Sequence, residues 1–98
     1  MRVRYTARAR SDLRDIFDYI SNDNPEAARR VRHAIFDAIK LIAARPSVGI
    51  RNVRDADIRS KLVLRYPYRV HYLVEDGDIW IVHIRHTARR SWESEGRT

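Results

Sequence analysis

The 98 residues include no cysteine, which excludes a disulfide framework and any thiolate metal site and makes a reducing cytoplasm the expected compartment. Glycine is scarce: only three are present, none in a Walker-type or G-x-G-x-x-G arrangement, so the common phosphate-cradling loops are excluded. Long apolar runs are missing as well. No stretch of about eighteen apolar residues could span a bilayer, and Met1-Arg-Val-Arg-Tyr5 leads into folded-looking sequence instead of a signal peptide. Lysine is nearly absent too. Of twenty basic residues only Lys40 and Lys61 are lysine, which leaves eighteen arginines.

The length fits one domain, 1–98, with a single two-layer core, so any functional site must lie on the surface of that core. Residues 91–98 are dominated by Ser, Glu, Gly and Arg and read as a flexible tail. The net charge is +7 and unevenly placed: residues 1–10 sum to +4, 11–44 to −1 and 51–74 to +4. The excess therefore falls on the expected strands and their loops. Guanidinium groups make bidentate bonds to phosphate or carboxylate and stack on rings, which suits an anionic partner. Arginine in place of lysine is equally what a GC-rich genome would produce.

A short β-like run at 2–6 precedes Thr6, a good helix cap, and Leu13, Ile16, Phe17 and Ile20 then follow the spacing of one apolar helix face over about 7–21. Asn24 as N-cap, Pro25 at the first helical position and Glu26 in the first turn start a second helix, which Pro46 stops. Its buried stripe is expected to be Ala28, Val31, Ile35, Ala38, Ile39 and Ile42. Opposite charges at helical spacing (Glu26 and Arg30, Arg14 and Asp18, Asp37 and Lys40) read as solvated surface. Residues 46–57 read as a loop carrying Arg51 and Arg54, followed by strands at about 59–65, 69–75 and 79–86.

Asp76-Gly77 supplies the two positive φ values of a type I′ hairpin turn. Pairing about it sets Val74 opposite Ile79, Tyr72 opposite Ile81 and Val70 opposite His83. The other face then pairs Leu73 with Trp80, His71 with Val82 and Arg69 with Ile84. The resulting order is β-α-α-β-β-β. One αα-hairpin can cover only one side of such a sheet, leaving the other to meet a partner or substrate.

The four histidines do not fall at metal-ligand spacing, since His83 and His86 lie on opposite faces of a strand and His33 lies on a helix, and no cofactor is expected. What remains is a basic cluster near the hairpin, with Tyr66 and Tyr68 either packing over the sheet edge or stacking on bases. Metal-free RNA cleavage needs a group to take the 2′-hydroxyl proton, a group to protonate the leaving oxygen, and cations for the phosphorane. His86 is a candidate acid or base, with Arg59, Lys61, Arg69 and Arg85 as stabilisers; the bland alternative is a structural His86 at the end of the last strand. A small basic nucleic-acid-binding module would also account for the composition.

The element order, the Arg45-Pro-Ser-Val-Gly49 break, the Tyr68-Arg-Val-His-Tyr72 strand and the ending Ile81-x-x-Ile84-x-His86-x-x-Arg89 together resemble the ParE/RelE toxin superfamily over residues 3–90. The resemblance implies an α+β fold of two layers, with the αα-hairpin on one face of a small, mostly antiparallel sheet. It also implies the toxin of a bacterial type II toxin–antitoxin pair, linked to growth inhibition and plasmid stabilisation. RelE-like members cut mRNA on the ribosome, whereas ParE-like members poison DNA gyrase without being nucleases. RelE-like enzymes usually carry a functional tyrosine near the C-terminus, and no tyrosine follows Tyr72 here. The expectation is therefore the ParE branch, with no catalytic residues and with Arg85, His86, Arg89, Arg90 and Trp92 as gyrase-contact candidates. The expected partner is a small ParD-like antitoxin with an acidic C-terminal segment, in a toxin–antitoxin hetero-oligomer. Candidate contacts for it are Leu13, Phe17, Arg65, Arg69, Tyr72 and Trp80, with apolar anchors giving affinity and charges steering association.

Overall fold

A computed structural model describes residues 1–87. The elements run β1 (Arg2–Tyr5), α1 (Ala7–Asp23), α2 (Pro25–Ala44), a 3₁₀ turn (Pro46–Val48), β2 (Ile50–Arg51), β3 (Ile58–Leu62), β4 (Tyr68–Glu75) and β5 (Asp78–His86). Both helix starts arise as their sequences dictate. Thr6 accepts from the Ala9 N–H and Asn24 from the Ala27 N–H, each satisfying a donor that a helix terminus leaves open.

The sheet order is β1-β5-β4-β3-β2, antiparallel except for β1, which lies parallel to β5. The helices pack on one face. Ala28, Val31, Ile35, Ala38, Ile39 and Ile42 of α2 are all buried, and most of them meet Val70, Tyr72, Ile79, Ile81 and Ile84 of the hairpin in one apolar cluster. Each fully buried isoleucine contributes about 1.5–3 kcal/mol relative to exposure. Asp76 and Gly77 both take positive φ, 53° and 77°, as a type I′ turn requires.

Three local expectations are corrected. The loop after α2 contains a 3₁₀ turn and the two-residue strand β2, paired with Arg59 and Ser60 of β3. The register of the hairpin shifts after Tyr72, so that Val70 faces Ile84, His71 faces His83 and Arg69 faces Arg85. The cause is a β-bulge: Tyr72 faces Ile81 but His71 faces His83, which leaves Val82 as an extra residue in β5 and moves everything beyond it by one. On the helix surfaces, Glu26 pairs with Arg29 at 2.6 Å instead of with Arg30, and Arg8 lies 3.4 Å from Asp12.

Candidate functional site

The bulge decides what the uncovered face of the sheet presents. Before it, Leu73 and Trp80 stand opposite one another on that face; beyond it come His71 with His83 and Arg69 with Arg85. Without the extra residue Arg69 would have faced an isoleucine. With it, two guanidinium side chains oppose each other directly, an arrangement that costs stability unless an anion lies between or near them. Arg69 Nη1 donates to Ser60 Oγ at 2.8 Å, and neither arginine has a carboxylate partner among the described residues.

The two histidines are stacked, with ring centroids 5.5 Å apart and planes 24° from parallel. Burial, together with the neighbouring His83, Arg85 and Arg69, pushes the His71 pKa down to about 4, so this ring is neutral at physiological pH. Its Nε2 is buried and has no hydrogen-bond partner among the described residues. Asp12, on α1, completes the group: its Oδ2 lies 2.7 Å from His83 Nδ1 and accepts the Ile84 N–H at 3.0 Å. Burial would raise the Asp12 pKa, but the hydrogen bonds from His83 and Ile84 outweigh it and hold the carboxyl below the usual range. An ionised carboxylate can only accept, which places the His83 proton on Nδ1.

Of the residues proposed for RNA chemistry, the structure brings Arg69 and Arg85 together and places the others elsewhere. Arg59 and Lys61 project to the helix-covered side; Arg59 Nη1 donates to the Gly49 carbonyl at 2.9 Å, tying β3 to the loop after α2. His86 also falls on that side, edge-on to Tyr68 at 5.1 Å and 83°. A single catalytic cluster of His86, Arg59, Lys61, Arg69 and Arg85 is thus not formed. Nor do the antitoxin candidates share one surface. Leu13 and Tyr72 belong to the core, Tyr72 being 0% exposed with its hydroxyl donating to the Pro46 carbonyl at 2.6 Å and accepting from the Gly49 N–H at 2.9 Å. Phe17 is half-buried with the Arg32 guanidinium 5.9 Å from its ring, Trp80 lies on the uncovered face with Arg4 5.6 Å from its ring, and Arg65 sits in the β3–β4 turn. Arg89, Arg90, Trp92 and the 91–98 tail lie outside the described residues.

Asp12 was missed because its position reads as one more charge on a solvated helix. Its partners lie more than seventy residues away in sequence. The faint signal was composition: Asp12 falls one residue before the buried Leu13, at the boundary of the apolar face.

Residues 3–91 match the family model described as "ParE toxin of type II toxin-antitoxin system, parDE". The chain belongs to the ParE toxin family. Among similar proteins, Toxin RelE2 of Caulobacter vibrioides is 40% identical over 87 residues, covering 89% of this chain and 96% of that one. A putative toxin, Y4kP, of Sinorhizobium fredii is 34% identical over 91 residues, covering 93% and 92%. A solved chromosomal ParDE toxin–antitoxin system from P. aeruginosa superimposes with a TM-score of 0.75 at 25% identity, over 88% of this chain and 95% of that one. The isolated E. coli RelE toxin shares the fold alone, with a TM-score of 0.58 at 14% identity over 98% and 94%. As a ParE-family chain this is the toxin of a type II toxin–antitoxin system, and membership implies a cognate antitoxin. Among the described residues, no helix of the ParE-family toxin is long and apolar enough to cross a membrane.

Proposed function

We propose that the chain arrests growth by binding DNA gyrase so that the cleaved-DNA complex persists, and that a ParD-like antitoxin with an acidic C-terminal segment neutralises it in the cytoplasm. The observation that carries this reading is the match to the ParE toxin family along residues 3–91. Two long helices and the absence of any tyrosine after Tyr72 support it. Gyrase contacts are proposed for Arg85 and His86, and for Arg89, Arg90 and Trp92 beyond the described residues. No residue has a catalytic role on this reading.

A second reading is favoured by one specific observation. Arg69 and Arg85 oppose each other beside two stacked histidines, one of them neutral, on an uncovered sheet face. That constellation offers two cations for a phosphodiester and a ring able to exchange a proton, as a RelE-like ribonuclease would need.

Purified gyrase and supercoiled DNA, incubated with the toxin, separate the two. The first reading expects covalent gyrase–DNA breaks to accumulate and translated mRNA to stay intact. Cleavage of ribosome-bound mRNA with no gyrase-linked breaks would replace it with the second.

A further inference from the structure

Beside α2 the molecule has an open groove of about 600 Å³ that shares no lining residue with the Arg69–Arg85 site. Its floor is apolar: Ala34, Ala38 and Leu41 come from α2, and Leu62, Leu64 and Tyr66 from the end of β3 and the turn that follows. The three leucines are unusually bare, Leu41 at 39%, Leu62 at 47% and Leu64 at 76% exposure. A contiguous apolar patch of this kind marks a contact surface. The rim is basic on both sides, with Arg30 and His33 on the α2 wall and Lys61 and Arg65 on the opposite one; Asp37 is the one acidic side chain in the lining. Arg30, Lys61 and Arg65 have no carboxylate partner among the described residues. Arg65 keeps its place on the rim at a φ of 73°, in the left-handed region where glycine would sit without strain.

The chain itself leaves the sheet beside this groove. Leu62 faces Arg69 and Tyr68 faces His86, so β3 ends, β4 begins and β5 ends at the same end of the sheet. Thr87, the last described residue, donates its N–H to the Pro67 carbonyl at 2.6 Å, and Pro67 directly follows Tyr66 of the groove floor. The sequence continues Ala88-Arg-Arg-Ser-Trp92-Glu-Ser-Glu95, in which Trp92 is the one large apolar side chain after His86. Four residues, 88–91, separate it from Thr87. An extended chain of that length reaches at most about 18 Å, and the groove runs about 16 Å along α2 from Arg30 to Leu41. Trp92 is followed closely by Glu93 and Glu95, two carboxylates for a rim whose arginines and lysine have none.

We propose that in the free toxin Trp92 seats in this groove, with Glu93 and Glu95 against the Arg30, Lys61 and Arg65 rim, so that the chain's own C-terminal segment is the occupant. An indole has about 150–250 Å² of surface to bury, and the leucine floor offers it an apolar bed. The tether selects the occupant. A linker this short holds the ring at an effective concentration on the order of millimolar, well above that of any second copy in dilute solution. A second copy, at net +7, would moreover bring like charge to a basic rim. The seat belongs to the free chain whichever target the toxin has, and Trp92 meets a target only after leaving it.

The test reads tryptophan fluorescence in the full-length chain. Trp80→Phe leaves Trp92 as the one tryptophan. Seated, its emission should lie to the blue of its position in urea, and acrylamide should quench it about threefold less than in the urea-unfolded chain. Leu64→Glu on one wall and Leu41→Glu on the other, each in that background, place a carboxylate on an exposed floor position; both should return quenching toward the unfolded value while the helical circular dichroism is kept. Glu93→Gln combined with Glu95→Gln should loosen the seat and reduce its sensitivity to salt. Quenching of Trp92 in the folded chain equal to that in urea leaves the groove open to another partner and overturns the proposal. Protection that survives both Leu64→Glu and Leu41→Glu places the ring elsewhere and also overturns it. Protection that disappears on dilution assigns the groove to the tail of a second copy, and the proposal falls.

Discussion

The Asp12 carboxylate lies 2.7 Å from His83 Nδ1, joining α1 to the last strand of the sheet across more than seventy residues of chain. The same oxygen accepts the Ile84 N–H. β1 ends at Tyr5, so after Ile81 β5 has no described strand on the side away from β4, and side chains finish that edge: Thr6 Oγ1 donates to the Val82 carbonyl at 3.2 Å, and Asp12 accepts the Ile84 N–H. An edge that would otherwise offer backbone groups to another strand is thereby closed.

Removing the carboxylate should therefore cost more than a surface charge. Asp12→Ala leaves the Ile84 N–H without its acceptor, and charge-assisted bonds of this kind are worth about 1.5–3 kcal/mol. We expect a loss of about 2 kcal/mol, seen as a lower urea midpoint at constant m-value, with Asp12→Asn less affected. An unchanged midpoint would show that the carboxylate does not stabilise the edge.

Acid should weaken the fold through His71. Its folded pKa is near 4 against an ordinary 6.5, so between those values the unfolded chain binds a proton that the folded chain does not. Stability then falls as pH drops through 6.5 and levels off once pH passes about 4, with a total of order 2 kcal/mol after allowing for partial solvent screening. Asp12, held low, adds its own loss only below the ordinary carboxylate range. Denaturation midpoints from pH 7 to 4 should slope for wild type and flatten in His71→Leu; a slope of equal size in the variant would assign the effect elsewhere.

Tyr72→Phe removes one hydroxyl and strands two backbone groups, the Gly49 N–H and the Pro46 carbonyl. A loss of about 1–3 kcal/mol is expected, measured by thermal unfolding. Gly49→Ala should be worse, because a Cβ there would stand 2.7 Å from the Tyr72 hydroxyl and 2.8 Å from the Ser60 carbonyl oxygen.

Gly77→Ala separates backbone from packing. Nothing lies within 4 Å of a Cβ at this position, yet φ is +77°. The cost should be about 1 kcal/mol and arise wholly from the left-handed conformation. Gly77→Asn, more tolerant of that region, should recover part of it; a variant equal to alanine would argue against this account.

Toxicity should depend on Arg85 more than on Arg59. Arg85→Ala removes an uncompensated cation from the uncovered face and is expected to lower gyrase-linked breaks by about tenfold, or ~1.4 kcal/mol of interaction. Arg59→Ala loses its bond to the Gly49 carbonyl and should show chiefly as reduced stability. Equal activity of Arg85→Ala and wild type would remove this face from target recognition.

Local signals were legible in the sequence where one short segment decides the structure. Thr6 and Asn24 cap as their side chains allow, α2 buries the stripe that its 3.6-residue period requires, and Asp76-Gly77 turns the hairpin. The register beyond Tyr72 was not legible, because the extra residue at Val82 has no compositional mark such as glycine. The displacement of one residue moved Arg69 from Ile84 to Arg85 and brought His71 onto His83, and these pairs make the candidate site. Strand β2 was too short to show a period, and Asp12 and the Arg65 groove depend on contacts that only tertiary folding creates.

The parallel pairing of β1 with β5 also governs when the uncovered face is complete. The first strand made closes on the last, from Arg2 against Asp78 to Tyr5 against Ile81. Loop closure over such a span carries the largest chain-entropy cost of the strand pairs in this sheet, and until it forms Thr6 and Asp12 have no strand to hold. A chain stopped before Asp78 has an αα-hairpin and the paired strands β2 to β4, but no Arg85, no His83 and no partner for β1. The fold thus withholds its basic face until β5 is in place.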